Sequence, residues 1–131
     1  MPSSGDTKTV TTMMYQAGIK KMRNAAEDAV DATNEFIGIT SVCAAFVAFA
    51  KSPLAVATAI LLEVLNYGNG KIAQYNADLQ DAYEDALDAM LGSYPVIYYD
   101  VAQNFKYVVH GSDGGWIQTG MPTFTRHYTD Y

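Results

Sequence analysis

Apolar residues are distributed very unevenly along this chain. From Phe36 to Leu65 it reads FIGITSVCAAFVAFA, then Lys51-Ser52-Pro53, then LAVATAILLEVL, with only Lys51 and Glu63 charged. Both halves are apolar on every side, which excludes surface helices that turn a polar back to water. The stretch has to be covered by the rest of the chain, by other copies, or by lipid.

The flanking patterns predict further helices. Residues 1–6 (MPSSGD) carry turn chemistry and read as a tail. From about Thr7 the pattern is read as helical: Tyr15, Ile19, Met22, Ala26 and Val30 recur at helical spacing, with Lys20, Lys21, Asn24, Glu27, Asp28 and Asp31 on the other side. This amphipathic helix should end near Thr33-Asn34, where either residue can cap a second helix over about 35–50. Ser52-Pro53, an N-cap followed by a first-turn proline, predicts a third helix over about 53–67, closed by Gly68. A fourth is expected over about 71–91, stopping at Gly92. Its apolar face is Ile72, Tyr75, Leu79, Tyr83, Ala86, Leu87 and Met90, and an aspartate stripe (Asp78, Asp81, Asp85, Asp88) lies nearly opposite.

After Gly92 the character changes. Val96–Tyr99, Phe105–Val109 and Trp116–Thr119 are rich in strand-forming residues, and the glycine-rich run at 111–115 is turn chemistry. Pro122 argues against a central strand beyond it. The expected fold is mainly α within an α+β class: a bundle of about four helices around an apolar helical hairpin, with a small C-terminal antiparallel β meander and an aromatic tail. Residues 1–131 read as one domain, with a tail at 1–6, the bundle at 7–92 and a β/aromatic arm at 93–131.

Composition narrows the partners. Charged residues make up 17% of the chain, below the usual ~25%, so it has less water-seeking surface than a lone monomer normally shows. A net charge of −6 leaves no basic patch for a phosphate backbone, which excludes direct nucleic-acid binding as the main activity. A basic protein remains a partner class. Cys43 is the one cysteine, so no internal disulfide forms. Lys20, Lys21 and Arg23 precede the apolar run too far into the chain for a cleavable signal peptide. The locations that suit an assembling subunit are extracellular, or within a virion or filament.

The candidate chemistry is sparse. His110, Ser112 and Asp113 are adjacent, but adjacency is poor evidence for a triad, and small polar residues with glycine are what a turn requires. GSDGGW lacks the lysine and following helix of a phosphate loop. His110 and His127, without a second cysteine, do not make a zinc site. No catalytic residue, metal or cofactor is expected, and the aspartate stripe reads as a solvated helix face.

The resulting expectation is a non-enzymatic, self-assembling structural subunit of coat, filament or pilin type. Ile39, Val42, Phe46, Phe49, Leu54, Ala57, Leu61 and Leu65 form the candidate contact seam in a homo-oligomer, and Trp116, Phe124, Tyr128 and Tyr131 the contacts of the aromatic arm. Two other readings compete. One is a small toxin-like protein whose hairpin enters a membrane. The other is a soluble helical interaction module, secretion-associated or an acidic inhibitor.

Overall fold

In the computed structural model, which describes residues 2–93 and 95–128, the chain opens with a strand where a helix was expected. This strand, β1 (Thr7–Met14), has the sequence TKTVTTMM. Threonine and valine lose side-chain freedom in a helix and suit a pleated strand. Alternation decides the matter: Val10, Thr12 and Met14 are increasingly buried, whereas Thr7, Thr9, Thr11 and Met13 are exposed. The amphipathic helix α1 (Gln16–Asp31) starts only afterwards.

Helix α2 (Glu35–Phe49) is capped as expected, the Asn34 side chain accepting the N–H groups of Phe36 and Ile37 at 2.8 and 3.2 Å. Ser52 and Pro53 do not open a helix. Lys51 turns left-handed (φ 55°), and residues 53–58 run extended to the side of a distant strand. There the Trp116 N–H donates to Ala55 O at 2.8 Å and the Ala57 N–H to Trp116 O at 2.9 Å. The third helix is therefore only α3 (Ala59–Val64), capped by Thr58. A tight turn at 67–70 leads into α4 (Ile72–Met90), close to its expected bounds.

The C-terminal region is two long strands in place of three short ones. These are β2 (Tyr98–His110) and β3 (Asp113–His127), joined by a two-residue turn at Gly111 and Ser112. The sheet is antiparallel in the order β1-β2-β3. Pro122 is accommodated because β3 is an edge strand and because the register breaks beside Gln103. The buried Gln103 amide donates to the carbonyls of Asn104, Thr119 and Gly120, which holds this irregularity together.

The helical bundle with a C-terminal meander is thus corrected. The molecule is an α+β layer structure, in which α2 and α4 pack against one face of a sheet drawn from both ends of the chain and α1 packs on α2 and α4. Phe46 of α2 meets Phe105 of β2 with ring centroids 6.0 Å apart. Tyr83 and Tyr99 both pack edge-on against Phe124, and the Tyr99 hydroxyl donates to Ala86 O at 2.7 Å. α1 and α2 approach closely at Gly38, where a Cβ would lie 2.8 Å from the Ala29 carbonyl oxygen.

That contact makes a stability prediction. Gly38→Ala should cost about 1–3 kcal/mol, because backbone must move to admit the methyl. Gly92→Ala, whose Cβ would meet nothing nearer than 4.0 Å, should change stability by less than about 0.5 kcal/mol. Urea unfolding of the two variants checks both. Equal tolerance would overturn the close packing of α1 on α2.

Candidate interaction surfaces

The residues expected to form a contact seam lie mostly inside the protein. Ile39, Val42, Phe46, Ala57, Leu61 and Trp116 are buried in the chain's own core. Phe49, Leu54, Leu65 and Phe124 are partly buried against that core. The Phe49 ring occupies the space a Cβ would need at Gly18. Tyr128 is 54% exposed, and Tyr131 lies outside the described residues. As folded, the seam offers little to a second copy.

The outer side of the same hairpin is different. Asn34 Nδ2 donates to Glu63 Oε1 at 2.7 Å, tying the start of α2 to the end of α3. One turn along α2 from this clamp Ile37 is 53% exposed, and on α3, flanking Glu63 in sequence, Ile60 and Val64 are 74% and 56% exposed. Ser41, Ala44 and Ala48 continue the exposed side of α2. The periodicity of α2 could not single out this surface, because the helix is apolar all round and has no preferred side.

The two edges of the sheet also differ. The β3 edge is covered or irregular along much of its length. Residues 55–57 bond to Trp116, the Cys43 sulfur accepts the Gln118 N–H at 3.4 Å, and the irregularity at Gly120–Pro122 interrupts the rest. Among the described residues the β1 edge has no comparable cover. The sequence reading missed it by extending the helical pattern of α1 backwards over 7–14. The signal that could have found it was the alternation of threonine and valine.

Among the described residues the two histidines lie at opposite ends of the sheet. His127 Nε2 pairs with Asp100 Oδ2 at 2.8 Å, and the Tyr98 ring stacks on the imidazole with centroids 4.4 Å apart. His110 sits at the opposite end of the sheet, paired across the hairpin turn with Asp113. Among the described residues no group of His, Cys, Asp and Glu could hold a metal ion. Asp78, Asp81, Asp85 and Asp88 are all exposed. A groove of about 620 Å³ runs past Lys8, Tyr107 and Trp116, with the Lys8 ammonium 5.6 Å from the Trp116 ring centroid. Among the described residues no helix is long and apolar enough to cross a membrane.

Comparison of the chain with known family models, with characterised proteins and with solved structures gave no match.

Burial pushes the Cys43 thiol up to about 12, opposed weakly by the bond from the Gln118 N–H. It also raises the hydroxyls of Tyr75 and Tyr83 above the ordinary tyrosine range. In each case the folded state holds its proton more tightly than the unfolded chain does. Stability is therefore fully present below the unfolded value and falls as pH rises past it. For Cys43 the decline starts near the ordinary thiol value of 9.0, at about 1.4 kcal/mol per pH unit. Urea midpoints measured from pH 7 to 10.5 should show this loss, and Cys43→Ala should flatten its first part. A pH-independent midpoint would show that the thiol is not enclosed.

Proposed function

We propose that the protein is a non-enzymatic, self-assembling structural subunit of the coat or filament type, whose copies meet through the outer side of the α2–α3 hairpin. The observation that supports this reading is the exposure of Ile37, Ile60 and Val64 around the Asn34–Glu63 clamp. Scattered single aliphatic side chains on a surface need no explanation, but here three lie around one short helix–helix junction. Burying a side chain of this kind is worth about 1.5–3 kcal/mol. A two-fold contact would use the set twice. The one charge beside them on α3, Glu63, already accepts the Asn34 amide, so little charge must be stripped of water when the surface closes.

The membrane-inserting alternative has less support. The long side chains such a hairpin would offer to lipid, among them Ile39, Val42, Phe46 and Leu61, form the protein's own core. α2 has 15 residues, short of the ~20 that span a bilayer. The interaction-module alternative uses the same exposed surface with a different protein, and the test below separates it.

Multi-angle light scattering should give masses that are multiples of 14.3 kDa and that grow with concentration. The double substitution Ile60→Glu/Val64→Glu should weaken assembly at least about tenfold, a change of about 1.4 kcal/mol, with an unchanged circular dichroism spectrum. A wild-type chain that stays monomeric as concentration is raised would remove the proposal and leave the interaction-module reading standing.

A further inference from the structure

The open strand β1 carries a second contact, and its geometry names the partner. The backbone phase of the sheet follows from its hydrogen bonds. The Tyr107 N–H donates to Asp6 O at 2.8 Å and the Gly5 N–H to Tyr107 O at 2.9 Å, so Tyr107 turns its backbone groups toward the N-terminal strand. Phe105, two residues back and opposite Lys8, does the same. Antiparallel strands alternate strictly in this respect. Lys8, Val10, Thr12 and Met14 therefore spend their N–H and C=O groups on β2. Thr7, Thr9, Thr11 and Met13 aim theirs outward, and among the described residues no backbone partner meets them.

An edge of eight residues with no proline and no bulge is a ready template for another strand. Side-chain protection is absent too, since the one charge in the strand, Lys8, leans over Trp116. Pairing must match outward groups with outward groups. We propose that β1 pairs antiparallel with β1 of a second copy about a two-fold axis through Val10. In that register Thr7 faces Met13 of the partner subunit and Thr9 faces Thr11 of the partner subunit, and the reverse pairs follow by symmetry. All four outward residues of each strand are satisfied, giving about eight inter-subunit hydrogen bonds. Lys8 falls opposite Thr12 of the partner subunit, which leaves the two ammonium groups about 13 Å apart, beyond the screening length at physiological salt. Shifting the axis to Thr9 or Thr11 leaves outward residues without a counterpart in the other strand.

The second copy is favoured over a foreign strand because this match is internal to the sequence: the strand is its own complement in one register. The union also stops at two copies. The other edge of the sheet is blocked by residues 55–57, Cys43 and the Gly120–Pro122 irregularity, so the product is a six-stranded sheet and does not extend into a stack.

This inference rests on the reading of the chain as self-assembling, but uses a different surface, and cysteine cross-linking tests it separately. Across the axis the two Val10 residues form a non-hydrogen-bonded pair, whose spacing suits a disulfide. Under mild oxidation Val10→Cys should yield covalent dimers at least about fivefold faster than Thr9→Cys or Thr11→Cys, while the buried Cys43 contributes no background. Thr11→Pro removes an outward N–H and keeps the internal ladder. It should lower non-covalent dimer formation at least about tenfold, with an unchanged urea midpoint at concentrations low enough for both proteins to be monomeric.

Faster linking at position 9 or 11, or none at 10, overturns the inference. If Val10→Cys fails while assembly still depends on Ile60 and Val64, the edge contact falls alone. If Val10→Cys links but Ile60→Glu/Val64→Glu changes nothing, the edge contact stands and the hairpin contact falls.

Discussion

The fold depends on finding cover for the nearly uncharged segment from Phe36 to Leu65, and the sheet supplies it. Two strands would make a narrow lid. The third comes from the N-terminal end of the chain, and Met14, at the point where β1 hands over to α1, is wholly buried. α2 then lies with Phe46 on Phe105 and Cys43 at the backbone of Gln118. The extended residues 55–57 close against Gly115, where a Cβ would come within 2.6 Å of the Ala57 backbone. Only glycine permits that approach. The loss of the expected third helix and the closing of the β3 edge are therefore one event.

Much of the helical part was legible because its determinants are local. The spacing of Ile19, Met22 and Ala26 placed α1, Asn34 capped α2, and α4 ends at Met90, just before Gly92. The departures share a physical cause, which is a partner distant in sequence. Thr7–Met14 pairs with residues 99–106, so a helical pattern beginning at Tyr15 was carried back across it. Ser52-Pro53 is a sound local start for a helix, yet Trp116 takes the chain that follows as an extended neighbour. Gln103 holds the irregularity that lets β3 continue through Pro122, and no pattern of apolar residues announces that. Asn76 is wholly buried on α4 although it is polar, and the apolar pattern of that helix does not mark it.

The candidate contact residues show the same division. That Ile39, Val42, Phe46 and Leu61 had to be covered was plain from the chain, but what covers them was not. Periodicity assigns a side only where polar and apolar positions alternate in angle, and α2 has no such alternation. The residues left outside, Ile37, Ile60 and Val64, are chemically the same as those inside. They became distinguishable only once β1 had claimed a place in the sheet and residues 53–58 had been drawn out of helix.

The two proposed contacts differ in character, and together they would change what assembly can produce. A two-fold contact is self-complementary and, used alone, ends at a dimer. The β1 edge has this property because its outward groups match in one register and the opposite edge is closed. The outer side of the hairpin is a separate surface built from helices. In a pair joined through β1, each subunit would still present its α2–α3 surface to a further neighbour. A subunit added through one contact would present the other, and unless the two axes happen to close a ring, growth would continue as an open chain. The physical basis of a filament-type reading is therefore the independence of these two surfaces, one satisfied by backbone hydrogen bonds and the other by aliphatic burial.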